Sequence, residues 1–271
     1  MSIDRLRAHY GFSRMPFGKE LAPGMLYRSK AHAEALARIT WLIAERAMGV
    51  ITGEVGAGKT VAVRAATAAL DASRHALIYL AQPGTGVRGI YVEIVRALGA
   101  TPCFQRSNLV PQTIELLAAE EAERGKKVVL IVDEAHLLSP EQLESLRLLG
   151  NSEMDSHSPF SCLILGQPTL RRRIRLGSFA ALDQRIALRY HLDGMDLAET
   201  AGYVKHHVGL AGRSDPLFSD DAVALIHQTA RGIPRAVNNL AVHSLVAAFA
   251  DSKGLVDESS ARAAVVEVNG D

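Results

Sequence analysis

The stretch Gly53-Glu54-Val55-Gly56-Ala57-Gly58-Lys59-Thr60 constrains the fold of this chain more than any other. It follows the short apolar run Val50-Ile51-Thr52 and precedes the alanine-rich, helix-favouring segment 61–70, so the local order reads strand, glycine loop, helix. In the pattern Gly-x4-Gly-Lys-Thr the glycines let backbone N–H groups wrap a phosphate chain that a Cβ would obstruct. The N-terminus of the following helix adds a field that favours negative charge. Lys59 is expected to neutralise the β and γ phosphates, and the Thr60 hydroxyl to coordinate Mg2+. The flanking strand and helix weigh against an ordinary glycine-rich turn, so Gly53, Glu54, Val55, Gly56, Ala57, Gly58, Lys59 and Thr60 are the expected nucleotide-binding residues.

Mg2+ on such a loop calls for an acid at the end of a neighbouring strand, and Val128-Val129-Leu130-Ile131-Val132-Asp133-Glu134 supplies it. Asp133 is expected to hold the metal, directly or through water. Glu134, the next residue, would orient and deprotonate the attacking water, which points to hydrolysis of ATP rather than to binding alone. The bland alternative, two acids capping a helix that begins near Ala135, loses most of its weight beside the loop. Asp133-Glu134-Ala135-His136 also spells the name of a helicase family. A second RecA-like domain is not expected in 271 residues, however, and His136 reads as a helix-start residue.

Beyond the loop, apolar runs alternate with helical periodicity. Segments 76–80, 128–132 and 161–165 read as strands; 30–47, 87–98, 110–124 and 140–149 read as helices. Continuous apolar strands between helices predict an α/β fold with a parallel sheet covered on both faces. After His191 the strand signals stop, and amphipathic segments near 196–209, 219–230, 234–250 and 258–267 predict a small all-helical lid. The expected organisation is a nucleotide-binding α/β domain over 1–192 and a helical lid domain over 193–271.

Composition narrows the class further. A chain with 48% hydrophobic and 22% charged residues can bury a core without metal or disulfide support. The two cysteines, Cys103 and Cys162, are too far apart in sequence to suggest a zinc pair. No stretch approaches the ~20 apolar residues that cross a bilayer, and the first residues lack a signal-peptide pattern, so the expectation is a cytoplasmic protein without a membrane role. A net charge of +1 confines any basic surface to a local patch. Arg171-Arg172-Arg173-Ile174-Arg175 is one such patch, better read as a solvated helix face; the loop Gln82-Pro83-Gly84-Thr85-Gly86-Val87-Arg88 is the other place to look for DNA contact.

Several further stretches carry a resemblance over nearly the whole chain. They are Tyr10-Gly11-Phe12 with Met15-Pro16-Phe17, the Tyr27 to Arg46 segment, Leu165-Gly166-Gln167-Pro168 with Leu170, Gln184-Arg185-Ile186, and Gly232-Ile233-Pro234-Arg235 with Asn238 and Leu240. Together with the loop and the Asp133-Glu134 pair, they make the chain resemble the AAA+ ATPases related to the secretion ATPase ExeA and to the transposition helpers TnsC, TniB, MuB and IstB. The resemblance implies that Gln167 stands between γ-phosphate and water, although a turn residue would look the same. It implies that Arg185, with Arg189 as runner-up, reaches the γ-phosphate of a neighbouring subunit, the alternative being a surface salt bridge. Arg235 would touch the nucleotide from the lid, or stand as a solvated helix-start residue. An aromatic, Phe17 or Tyr27, would pack on the adenine, unless both are core residues.

The same resemblance implies a homo-oligomeric ring or filament, double-stranded DNA as a partner, and a transposase or integrase as client. The competing expectation is a regulatory or motor ATPase of a secretion or signalling assembly with no DNA contact. A small-molecule kinase is disfavoured by the adjacent acid pair and the long helical lid.

Overall fold

The computed structural model describes residues 2–18, 21–81, 86–151 and 158–270. Its five strands form one parallel sheet in the order β2-β3-β4-β1-β5. They are β1 (Met48–Gly53), β2 (His75–Leu80), β3 (Lys127–Val132), β4 (Phe160–Gly166) and β5 (Ile186–Leu192). Position in the sheet explains the sequence pattern. Every residue of the interior strands β1 and β4 is buried, whereas the edge strands β2 and β5 alternate between covered and exposed side chains. Interior strands of a parallel sheet are covered on both faces and are therefore apolar along most of their length. This is the α/β, P-loop NTPase architecture the sequence predicts.

The chain divides into two compact units. The first, Glu34–Glu54 with Lys59–Leu192, holds the sheet. With it go α3 (Lys59–Ala68), α4 (Gly86–Ala97), α5 (Arg106–Ala122), α6 (Pro140–Leu149), α7 (Pro168–Ile174) and α8 (Ala180–Arg185). Its core joins strand residues such as Val50, Ile78, Leu130 and Ile164 to Ile94, Leu109, Leu143 and Leu170 on the helices. α6 starts on a capping box in which the Ser139 hydroxyl accepts from the Gln142 N–H and the Gln142 side chain accepts from the Ser139 N–H, with Pro140 at the first helical position. α5 begins ahead of the expected 110 and carries Pro111 inside it. Pro111 sits just past the residues that lack a backbone acceptor, so α5 forgoes one intrahelical hydrogen bond there.

The second unit comprises Met1–Ala33, Val55–Gly58 and Asp193–Asp271. It contains α1 (Ile3–Tyr10), α9 (Leu197–Leu210), α10 (Asp220–Ala230), α11 (Pro234–Ala250) and α12 (Glu258–Asn269). From sequence alone, Met1–Ala33 falls within the α/β segment. In the structure the apolar side chains of that stretch, Leu6, Tyr10, Phe12 and Phe17, join the core formed by Val204, Ile226, Leu240 and Leu245. The Tyr10 hydroxyl donates to the Leu245 carbonyl at 3.0 Å, which satisfies its polar end inside that core. α9 opens on a second capping box, Asp196 with Glu199. α2 (Lys30–Ala44) runs from the second unit into the first.

Candidate active site

The phosphate-loop residues lie where β1 ends and α3 begins. Gly56 and Gly58 have φ of +83° and +99°, conformations that L side chains rarely adopt. A Cβ on Gly56 would stand 2.5 Å from the Cβ of Arg235, so this glycine is also required by close approach. The Arg235 N–H donates to the Gly56 carbonyl at 3.3 Å, and its side chain is exposed. Lys59 is only 7% exposed; its ammonium donates to the carbonyls of Gly53 and Glu54 at 2.8 and 3.0 Å. A cation is thereby held against the loop.

Asp133 follows β3 and is 4% exposed. The Thr60 hydroxyl donates to its Oδ2 at 2.7 Å, and the Glu134 N–H donates to its Oδ1 at 2.8 Å. A buried carboxylate is tolerated because it is hydrogen-bonded in this way. The Tyr79 hydroxyl, on β2, also donates to Oδ2, at 2.8 Å. Burial first, then this hydrogen bond and the charges of Asp133 and Glu134, push the Tyr79 phenol up to about 12, so it remains a donor across the physiological range. Nothing in the sequence singles Tyr79 out; it sits in an apolar run and reads as a strand residue.

Glu134 adopts a left-handed backbone, φ +50° and ψ +33°, and its carboxylate is about half exposed. Its Oε2 lies 3.4 Å from Nδ1 of His136, a contact without the alignment of a hydrogen bond. Gln167 caps α7 directly after β4, and its side chain makes no capping bond. Because Gly166 pairs with Thr52, Gln167 emerges at the same end of the sheet as the glycine loop. The structure therefore brings Lys59, Thr60, Asp133, Glu134 and Gln167 to one end of the strands.

Arg185 and Arg189 are engaged elsewhere on their own chain. The Arg185 guanidinium donates to the Gly150 carbonyl at 2.5 Å and to the Asn151 side chain, at the C-terminus of α6. Arg189 pairs with Asp183 at 2.9 Å and donates to the Ile186 carbonyl at 3.0 Å. A cavity of about 220 Å3 beside β5 is lined by Arg171, Arg175, Arg189 and His191; it touches Thr52 but none of residues 53–60, so it is not the phosphate site. The reading of the arginine cluster as a solvated face fails for Arg173. Its guanidinium donates to the His136 and Leu138 carbonyls at 2.8 Å each and so braces the turn that follows Glu134. Phe17 is 6% exposed and stacked on His207 at 5.2 Å, a core position; Tyr27 packs edge-on against Tyr203 at 5.7 Å. Residues 82–85 of the other DNA-contact loop lie outside the described residues.

Residues 43–174 match the family model described as AAA domain. The chain is 32% identical over 272 residues to general secretion pathway protein A of Aeromonas hydrophila, covering 96% of this chain and 48% of that one. It thus spans about half the length of the curated relative it matches. Among solved structures, the Aeropyrum pernix ORC2 protein in its ADPNP-ADP complexes superposes with a TM-score of 0.67 at 19% identity, covering 93% of this chain and 71% of that one. The Drosophila ORC bound to DNA gives 0.62 at 18% identity, with coverages of 98% and 65%. These two likenesses establish the fold. The parallel sheet with its glycine loop gives this chain the P-loop NTPase fold, and residues 43–174 of it resemble an AAA domain.

Proposed function

We propose that the chain binds Mg-ATP at residues 53–60 and hydrolyses it. The observation that carries the reading is the bond from Thr60 to the buried Asp133, with the carboxylate of Glu134 one residue further on. The residues suit the ligand: Gly56 and Gly58 take positive-φ backbone that L side chains rarely adopt, and the Lys59 ammonium is held by the Gly53 and Glu54 carbonyls. A bound Mg2+ would supply positive charge to offset the charge that develops on the phosphates. Thr60 and Asp133 would hold the metal, Lys59 would offset phosphate charge, and Glu134 would take the proton of the attacking water. Gln167 would orient that water, and Arg235, whose N–H donates to the Gly56 carbonyl, would touch the nucleotide. Arg185 would serve the neighbouring subunit of a ring or filament, after leaving the Gly150 carbonyl. Lys59→Ala should abolish binding of a fluorescent ADP analogue. Glu134→Gln should keep binding and lower turnover by about 10²–10⁴; normal turnover in that variant would overturn the assignment.

The relative that spans almost the whole of this chain is a secretion-pathway protein. We therefore place the ATPase in the cytoplasm as the motor or regulator of a secretion-type assembly. Among the described residues no helix is long and apolar enough to cross a membrane. The second reading is a duplex-DNA-associated ATPase that serves a transposase or integrase. It is favoured by the fold shared with the DNA-bound ORC and by the exposed Arg171, Arg172 and Arg175. An ATP-dependent mobility shift on duplex DNA at fixed salt separates the two, and its presence would move the assignment to DNA.

A further inference from the structure

Asp133 receives one more hydrogen bond than the expected chemistry accounts for. Its Oδ2 accepts from both Thr60, at 2.7 Å, and Tyr79, at 2.8 Å, while Oδ1 accepts from the Glu134 N–H at 2.8 Å. A carboxylate oxygen offers about two acceptor positions, so Thr60 and Tyr79 fill Oδ2 and leave Oδ1 with one position open. The strand register fixes this arrangement. Leu80 pairs with Val132, the ladder continues as the Asp133 N–H donates to the Leu80 carbonyl at 3.0 Å, and Tyr79 precedes Leu80 on the same strand. The backbone and the carboxylate of Asp133 are thus held by adjacent residues of β2. Packing alone does not explain a tyrosine here, since its side chain is half exposed at the sheet edge and its hydroxyl could be hydrated at little cost.

We infer that Tyr79 is a positioning residue that occupies Oδ2 of Asp133 together with Thr60, so that only Oδ1 is presented to the nucleotide-bound metal. The inference rests on the Mg-ATP reading of the site. A carboxylate held in one rotamer has less freedom to lose when the metal arrives, and the open oxygen is chosen in advance. Tyr79 therefore couples metal to nucleotide without touching the phosphates.

The test is Tyr79→Phe, which deletes one oxygen, beside Leu77→Ala as a control on the same exposed face of β2. Binding of a fluorescent ADP analogue is measured in EDTA and then through a Mg2+ titration, with Mn2+ binding to the ADP complex followed by electron paramagnetic resonance. The expected result for Tyr79→Phe is unchanged affinity in EDTA and about fivefold weaker Mn2+ and Mg2+ binding, the scale of one charge-assisted hydrogen bond at a half-exposed site. Leu77→Ala should leave both unchanged. A metal midpoint unmoved by Tyr79→Phe overturns the inference while the nucleotide site stands. Equal loss in EDTA and in metal also overturns it, since that marks a merely structural role. A wild-type protein that binds no nucleotide removes the Mg-ATP reading itself, and the role of Tyr79 with it.

Discussion

His207 makes the helical unit sensitive to acid. It lies on α9, 3% exposed, with its ring 4.3 Å from that of Tyr203 and 5.2 Å from that of Phe17. Burial first, and then the charges of His206 and Arg14, hold its imidazole down at about 4, against an ordinary 6.5. The folded state therefore binds this proton less readily than the unfolded state. Stability is fully present above pH 6.5, falls as pH drops from 6.5 towards 4, and changes little below that. Weighing the two protonation equilibria gives a loss of about 2 kcal/mol between pH 7 and pH 5 from this side chain alone. Urea unfolding at the two pH values, followed by circular dichroism, measures it. His207→Gln should be less stable at pH 7 because its ring contacts are gone, yet its further loss at pH 5 should be about 2 kcal/mol smaller than that of the wild type. If wild type and variant lose equally, His207 is not the group that titrates, and the argument from its burial is wrong.

Other substitutions test the site and the core. Gly56→Ala places a Cβ 2.5 Å from Arg235 on a backbone of φ +83°; nucleotide affinity measured by fluorescence should fall at least about tenfold, with about 1–2 kcal/mol of strain. Arg185→Ala should leave nucleotide binding intact and suppress turnover in the oligomer by about 10³. Mixing it with Glu134→Gln should restore part of the activity, because each variant supplies the group the other lacks; no recovery at any ratio would argue against a finger in trans. Leu130→Ala, at a position 1% exposed in the middle of the sheet, should cost about 2–5 kcal/mol in urea unfolding.

What the sequence made legible follows from how local each signal is. β1, β3 and β4 could be read because interior parallel strands are apolar along most of their length, and the glycine loop because phosphate wrapping demands particular residue types at particular spacings. Asp133 and Glu134 followed from the same demand. The helix Ile3–Tyr10 carries only two buried side chains, Leu6 and Tyr10, so its periodicity is thin, and the core it joins lies some two hundred residues away in sequence. The helix expected from residue 110 begins at Arg106, and the chain tolerates Pro111 inside it. Tyr79 and Arg173 were invisible for a different reason. Each acts on an acceptor far along the chain, Asp133 in one case and the carbonyls of His136 and Leu138 in the other, and only the pairing of strands and the packing of α7 bring donor and acceptor together.

If Glu134 serves as proposed, its left-handed backbone sets activity against durability. A side chain at φ +50° costs about 1 kcal/mol that glycine would not incur and asparagine would incur less. Selection for robustness alone would drift toward those residues at this position, and each such drift would discard the carboxylate. A chain that keeps glutamate there forgoes that stability, and heat-resistant variants recovered from a random library without any demand for turnover should collect substitutions at residue 134.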